Sequence, residues 1–329
     1  MRFKLTPRFI LFAVLCACLA SGELWLKNAL AANIGQIVFT STRDGNHEIY
    51  VMDSTGKNQK RLTDHPASGS QPSWSPDGKK IAFTSRRNGG NIQIFVMDSD
   101  GQNPIRLTNE VWDQDPDWSP DGQKIAFTGY RNVGLRGEAW NKDIYVMDAD
   151  GQNRKQLTRI AGNNSNPSWS PDGQRIAFVN SGWGWGAEIY VMDSNGENSK
   201  RLTQGVGSKR GPSWSPDGQS IAFLLSSQVS VMDSDGKNPR KLTDGQIALN
   251  PTWSPDSEMI AYESWRRNDG ISEIHLMTAD GRYIKKLSGV HEGEDWDPDW
   301  IMPAARTVSQ AGNRITIWGG LKKLAPTLR

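Results

Sequence analysis

The stretch Pro72–Gly78, P-S-W-S-P-D-G, followed by the triplet Ile81–Phe83, I-A-F, decides the fold. Its first proline has no N–H to donate and is tolerated where a strand begins. In Ser-Pro-Asp-Gly the proline presets φ, the aspartate can bond the local backbone and the glycine accepts positive φ. The stretch therefore predicts a β-hairpin, with one strand ending at Trp74 and the next running through the triplet.

The hairpin pattern belongs to a repeat. Two further signatures follow each triplet: an I-Y-V-M-D-like run such as Ile49–Asp53, and a basic-L-T run such as Arg61–Thr63. The triplets begin 44, 44, 51, 45 and 39 residues apart, at Ile37, Ile81, Ile125, Ile176, Ile221 and Ile260. Strands two and three carry apolar side chains on both faces, whereas strand four is basic, as an exposed outer edge would be. Such a unit is typical of a four-stranded propeller blade.

The strand count predicts how the ring closes. The first strands end at six tryptophans, namely Trp74, Trp118, Trp169, Trp214, Trp253 and Trp300. The repeat region begins with a second strand at Ile37 and ends with a first strand at Trp300, so these two should share a blade. We therefore predict an all-β, six-bladed propeller over residues 34–302, with the first strand of each blade lining the channel.

The N-terminal residues differ from the repeat. Residues 1–31 combine a basic start with the apolar run Phe9–Ala20, 12 residues long, and small residues suited to cleavage after Ala20 or Ala31. This layout predicts a signal peptide, with lipidation of Cys18 or an uncleaved anchor as alternatives. Cleavage after Ala31 leaves 34 basic and 35 acidic residues, a net charge of −1. This near-neutral charge argues against a nucleic-acid partner. Cleavage also removes both cysteines, so the mature chain is expected to have no disulfide.

At the other end of the chain, residues 303–329 form a tail outside the repeat. Within this tail, Arg314–Trp318 reads as a possible extra strand. It could add to a blade edge or cover one end of the channel, and the sequence leaves both open.

The quoted motifs closely resemble those of the TolB-like propeller family over residues 34–302. The resemblance implies a bacterial periplasmic or secreted protein that binds an envelope protein, here without the family's separate N-terminal domain. Because such a scaffold hosts many activities, the resemblance is specific for fold rather than function. We expect a non-enzymatic binding module, without a cofactor and monomeric, whose partner is an envelope or extracellular protein or a glycan. The alternative is a carbohydrate-active enzyme such as a metal-dependent oligogalacturonate-type lyase.

Candidate partner-binding residues lie in the variable loops between strands two and three and between blades, because variable loops on a rigid scaffold commonly carry binding. Arginine beside tryptophan is typical of interface hot spots, although arginines at matching repeat positions could instead brace neighbouring loops. The candidates are Arg43, Arg87, Trp112, Arg131, Trp140, Trp183, Trp185, Trp265 and Arg266. We predict no metal site: the four histidines lack metal-ligand spacing, and His275 replaces a packed aromatic residue.

Overall fold

The computed structural model describes residues 35–110, 112–130, 141–182, 186–265, 270–288 and 293–301. These residues form a six-bladed β-propeller of four-stranded antiparallel sheets. The predicted fold is confirmed. Within these ranges no helix is long and apolar enough to cross a membrane. The proposed signal peptide and the tail lie outside the described residues.

The strands occupy equivalent positions in every blade, numbered from the channel outward. Blade 1 has the order β24-β1-β2-β3, and blades 2 to 6 follow along the chain. First strands are β24 (Asp295–Ile301), β4 (Gly69–Trp74), β8 (Asp113–Trp118), β12 (Asn163–Trp169), β16 (Lys209–Trp214) and β20 (Ile247–Trp253). Second strands are β1 (Gln36–Ser41), β5 (Lys80–Ser85), β9 (Lys124–Tyr130), β13 (Arg175–Ser181), β17 (Ser220–Leu225) and β21 (Met259–Trp265).

The third and fourth strands form the outer half of each blade, and the fourth strand is the shorter of the two. Third strands are β2 (Glu48–Asp53), β6 (Gln93–Asp98), β10 (Lys142–Asp148), β14 (Ala187–Asp193), β18 (Gln228–Asp233) and β22 (Ser272–Thr278). Fourth strands are β3 (Lys60–Arg61), β7 (Ile105–Arg106), β11 (Lys155–Gln156), β15 (Lys200–Arg201), β19 (Arg240–Lys241) and β23 (Tyr283–Lys286). Most of these basic residues are exposed, which agrees with their interpretation as a solvated rim.

The predicted closure between the two ends of the repeat region is confirmed. In blade 1, β24 pairs antiparallel with β1, placing Ile37 opposite Trp300. Trp300 packs in one buried cluster with Phe39 of its own blade and Leu276 of blade 6. The ring is therefore held by main-chain pairing within blade 1 and by side-chain packing between blades 6 and 1.

Two loop faces follow from this arrangement. The hairpin face carries the Ser-Pro-Asp-Gly turns between first and second strands, in which the Asp77 carboxylate accepts hydrogen bonds from the Ser75 hydroxyl (2.8 Å) and the Lys79 N–H (3.0 Å). Gly78 completes this turn at φ 68°, in the left-handed region that favours glycine. The variable-loop face, on the opposite side, carries the loops between second and third strands and between blades.

Candidate partner-binding face and central channel

Arg43 on the variable-loop face is built into blade 1. Its guanidinium lies 4.5 Å from the Tyr50 ring centroid and 5.5 Å from that of Phe39. Nη2 pairs with the Asp295 carboxylate at 3.0 Å, and Nε donates to the Ser41 hydroxyl at 2.9 Å. The Asp295 side chain is fully buried. Arg43 therefore neutralises a buried carboxylate and ties β24 to the loop between β1 and β2, which is the bracing arrangement.

Arg87 occupies the same repeat position in blade 2 but has different partners. Its guanidinium stacks on the rings of Phe83 (5.0 Å) and Phe95 (5.2 Å), and Nε donates to the Ser85 hydroxyl at 3.1 Å. Burial lowers the pKa of the guanidinium. In the described part of the chain, no carboxylate forms an ion pair with it. The equivalent of Asp295 in the blade 2 register is Gly69, which has no side chain to offer.

In blade 3 a guanidinium also lies over the aromatic rings of the second and third strands, but it comes from an arginine that the sequence pattern did not reveal. Arg154, which precedes β11, reaches inward to the buried Asp113 carboxylate at 2.8 Å. Its guanidinium lies 4.3 Å from the Tyr145 ring centroid. Gly129 makes room for it, since a Cβ there would lie 2.8 Å from Arg154 Nη2. Blades 1 and 2 have serine where blade 3 has Gly129, and this difference was the feature of the sequence that could have pointed to Arg154.

The aromatic candidates lie at separate points on the rim. Trp112 lies between blades 2 and 3 and packs edge-on against Tyr130, with centroids 5.1 Å apart. Trp265 ends β21, and its indole N–H donates to the Gly270 carbonyl at 3.1 Å. Both side chains are half-buried. The other candidates lie outside the described residues: Arg131, Trp140, Trp183, Trp185 and Arg266.

His275 is a packed histidine, as predicted. It is 8% exposed and lies edge-on to Tyr262 and Tyr283. Within the described ranges, no group of three or more His, Cys, Asp or Glu side chains is placed to hold a metal ion.

The central channel carries a feature that sequence reasoning missed. Each first strand bulges at the residue before its proline, which has positive φ and lines a cavity of about 170 Å³. These residues, taken blade by blade, are Asp297, Gln71, Asp115, Asn166, Gly211 and Asn250. Two residues further along, blades 1 and 3 add Asp299 and Asp117. The carboxylates therefore lie in blades 1 and 3, flanking Gln71, while blades 4 to 6 contribute neutral groups. The sequence feature that could have revealed these carboxylates is the variation, from blade to blade, of the two x positions in the repeated x-Pro-x-Trp motif.

The channel carboxylates retain protons more readily than free ones. Burial raises the pKa of Asp117 to about 8 and that of Asp299 to about 6. Burial, with the nearby Glu263 and Asp115 charges, raises the pKa of Asp297 to about 8. Asn250 donates to both Asp297 Oδ1 (2.7 Å) and Glu263 Oε2 (3.2 Å). It thereby links the channel to Glu263, another carboxyl whose pKa is raised. Such a wall favours protons or other cations.

This electrostatic arrangement predicts an unusual pH dependence. The pKa of Asp117 is near 3.9 in the unfolded chain and about 8 in the folded protein. The stabilisation that protonated Asp117 contributes to folding is therefore fully present below pH 4 and is lost as the pH rises through 8. We expect Asp117→Asn to raise the free energy of unfolding by about 1–2 kcal/mol more at pH 8 than at pH 5, allowing for water in the channel. Urea unfolding at both pH values measures this difference.

Asp121→Asn is the matched control, on the hairpin that follows the same strand. Hydrogen bonds from the Ser119 hydroxyl and the Gln123 N–H lower the pKa of Asp121, so its contribution has the opposite sign. An Asp117→Asn effect that is equal at the two pH values would contradict the assignment of a raised pKa.

Comparison with known proteins agrees with this architecture. The family described as PD40, TolB beta propeller domain, matches residues 29–136 and 116–304. The crystal structure of TolB from Acinetobacter baumannii is similar with a TM-score of 0.70 and 25% identity, over 82% of this chain and 67% of that chain. The structure of putative TolB from Agrobacterium tumefaciens has a TM-score of 0.64 and 23% identity, over 79% and 91%, a likeness of fold.

Curated relatives match over short segments. The Tol-Pal system protein TolB of Desulfosudis oleivorans is 43% identical over 54 residues, 16% of this chain. The protein TolB homolog of Chlorobium chlorochromatii is 38% identical over 55 residues, 17% of this chain. Each match spans 12% of the relative's own length. The family match, in contrast, extends over most of the chain, and the chain belongs to the TolB beta propeller domain family.

Proposed function

We propose that this chain is an exported, non-enzymatic binding module that engages an envelope protein at its variable-loop face. The observation that carries the proposal is the contrast between Arg43 and Arg87. Arg43 pairs with a buried carboxylate, whereas the Arg87 guanidinium lies over two adjacent aromatic rings with no carboxylate partner among the described residues. A rigid, partly desolvated guanidinium is well suited to a partner's carboxylate, because little side-chain freedom remains to be lost on binding.

The names of the relatives support one kind of partner. Two matched curated proteins bear the name Tol-Pal system protein TolB, which favours an envelope protein as the partner here. A glycan bearing carboxylates would offer Arg87 the same chemistry and is the second kind of ligand to test. Export to the periplasm is supported by the signal-like residues 1–31. Cell fractionation with sequencing of the mature N-terminus tests it: cleavage after Ala20 or Ala31 is expected, and a cytoplasmic, uncleaved chain would overturn it.

Arg87→Gln is expected to reduce partner capture from an envelope fraction at least tenfold, equivalent to about 1.4 kcal/mol, because a charge-assisted pair with the partner is lost. Quantitative mass spectrometry of the captured proteins provides the measurement. Arg106→Gln is the matched control, since Arg106 is an exposed arginine of the same blade on its outermost strand.

The possible outcomes distinguish a role of Arg87 itself from a role of the variable-loop face as a whole. Unchanged partners for Arg87→Gln, with partners lost in the Trp183→Ala/Trp185→Ala variant, would place binding elsewhere on the same rim. Identical partners for both variants would overturn the proposed face. The alternative lyase is tested by metal analysis together with an assay on uronic-acid oligomers. Bound metal with turnover would replace the binding-module proposal.

A further inference from the structure

Blades 1, 2 and 3 each place a guanidinium over their aromatic rings, and two of the three blades supply a carboxylate to it. Arg43 pairs with Asp295 at 3.0 Å in blade 1, and Arg154 pairs with Asp113 at 2.8 Å in blade 3. Both carboxylates are fully buried, and both come from the same register position of a first strand. At this register position blade 2 has Gly69, so its first strand supplies no carboxylate.

The Arg87 side chain of blade 2 is anchored in the same way as Arg43. Nε of each guanidinium donates to the hydroxyl of the serine two residues earlier, at 2.9 Å to Ser41 and at 3.1 Å to Ser85. These serines pair with Asp295 and Gly69, respectively, on the adjoining first strands. Because the anchoring is shared, Gly69 holds the place beside Arg87 that Asp295 holds beside Arg43.

Neither the backbone nor the packing requires glycine at position 69. Its φ lies outside the left-handed region in which glycine is favoured. An added Cβ would lie 3.5 Å from the Phe83 ring and 3.8 Å from Ile49 Cγ1, which are ordinary van der Waals distances. Gly69 therefore leaves room for a group of side-chain size beside the guanidinium.

The buried carboxylate whose charge acts on Arg87 is committed to other partners. This carboxylate, Glu48, accepts hydrogen bonds from Arg61 Nη2 at 2.9 Å, from the His65 backbone N–H at 3.0 Å and from the Thr63 hydroxyl. Arg61 thus compensates its charge. A planar guanidinium that is partly shielded from water binds a carboxylate strongly, and Arg87 keeps this capacity.

The shape of the space restricts which carboxylates can enter. In blade 1 the corresponding carboxylate is fully buried, so a ligand must carry its carboxylate below the surface on a narrow stem. The side chains of Asp and Glu and the C-terminus of a polypeptide have such a stem. A uronic acid carries its carboxylate directly on a sugar ring, which is wider than the room left by one side chain. Arg86, exposed beside Arg87, adds positive charge at the entrance.

We propose that the space between Gly69 and the Arg87 guanidinium is a carboxylate-binding cleft for a polypeptide. The ligand's carboxylate takes the place that Asp295 and Asp113 fill in blades 1 and 3. The cleft selects an acidic side chain or a C-terminus over a uronic acid. This inference rests on the proposed function, since it names the chemistry that the partner presents to Arg87.

Nuclear magnetic resonance of the full chain tests the cleft without the partner. The Nε–H signal of Arg87 is assigned by its loss in Arg87→Met. Acetyl-Gly-Glu-Gly-amide offers a side-chain carboxylate, acetyl-Gly-Gly-Gly a terminal one, galacturonic acid one on a ring, and acetyl-Gly-Gly-Gly-amide none. We expect at least one of the two carboxylate peptides to shift the signal saturably, with an affinity at least about fivefold higher than that of galacturonic acid. The amide should leave the signal unchanged.

Gly69→Asp supplies the carboxylate from within the chain. We expect it to weaken both peptide binding and partner capture at least about tenfold while Arg87 is retained. Its effect on the unfolding equilibrium constant should be at least about tenfold more favourable with Arg87 present than in the Arg87→Met background. Asn88→Asp is the matched control, because it adds the same charge at an exposed residue outside the cleft. We expect it to change binding less than about threefold.

The results distinguish the cleft from the proposed function. The cleft would be overturned if no carboxylate shifted the signal, if galacturonic acid bound as tightly as the peptides, or if Gly69→Asp still bound them. Partner capture lost in Arg87→Gln but kept in Gly69→Asp would overturn the cleft alone. Peptide binding abolished by Gly69→Asp, with partner capture unchanged in Arg87→Gln, would support the cleft and overturn Arg87 as the partner's site.

Discussion

Replacing Gly56 by alanine is expected to lower the free energy of unfolding by about 3–4 kcal/mol, because the new Cβ would meet the main chain of the neighbouring blade. Gly56 lies in the turn before β3 with φ 84°, and its added Cβ would approach the Leu287 carbonyl oxygen far more closely than real Cβ atoms do, with the Leu287 Cα at 3.1 Å. Leu287 belongs to blade 6. The substitution therefore strains the junction that closes the ring, and equilibrium urea unfolding measures the cost.

Gly45→Ala is the matched control for backbone strain. Gly45 has φ 98°, but a Cβ there would meet no atom within 4 Å. Its replacement is expected to cost about 1 kcal/mol, the conformational part alone. The difference between the two variants isolates the contact between blades. Equal costs would show that the blade 1–blade 6 junction adjusts freely, contrary to the close packing described.

The same glycine-to-leucine contact recurs around the ring, and this explains why the fold was predictable. Gly101 would meet Leu62, Gly196 would meet Leu157, and Gly236 would meet Leu202, each in the preceding blade. A contact that repeats six times imposes the same residues six times, so it is visible as a repeat. Closure was predictable for a related reason: six first strands and six remaining strand sets make six complete blades only if the Trp300 strand joins the Ile37 set.

The candidate site was less predictable because its contacts join positions that are not equivalent in the repeat. Arg43 and Arg154 perform the same task from different loops, and a search for matching positions finds only the first. The channel carboxylates escaped notice for the opposite reason. Asp117 and Ser168 occupy the same place in the motif, so their chemical difference looked like ordinary variation until the fold brought Asp117 and Asp299 to one wall.

Replacing Arg43 by methionine is expected to cost about 3–5 kcal/mol, since it removes the cation from the buried Asp295 carboxylate while keeping an apolar side chain against the aromatic rings. The second variant Asp295→Asn removes the charge that needs compensation. The double variant should therefore recover at least about 1.5 kcal/mol relative to the sum of the single effects. Urea unfolding of all four proteins completes the cycle.

Arg87→Met is the control that relates this mutant cycle to the proposed binding of a partner by Arg87. It makes the same replacement at the same repeat position, over the Phe83 and Phe95 rings, but strands no carboxylate among the described residues. We expect it to cost about 1 kcal/mol or less, the contribution of the cation–π contacts. If Arg43→Met cost no more than Arg87→Met, the Arg43–Asp295 pair would contribute little to stability, and Arg43 would be as available to a partner as Arg87. A large difference would show that one repeat position serves stability in blade 1 and leaves a guanidinium for binding in blade 2.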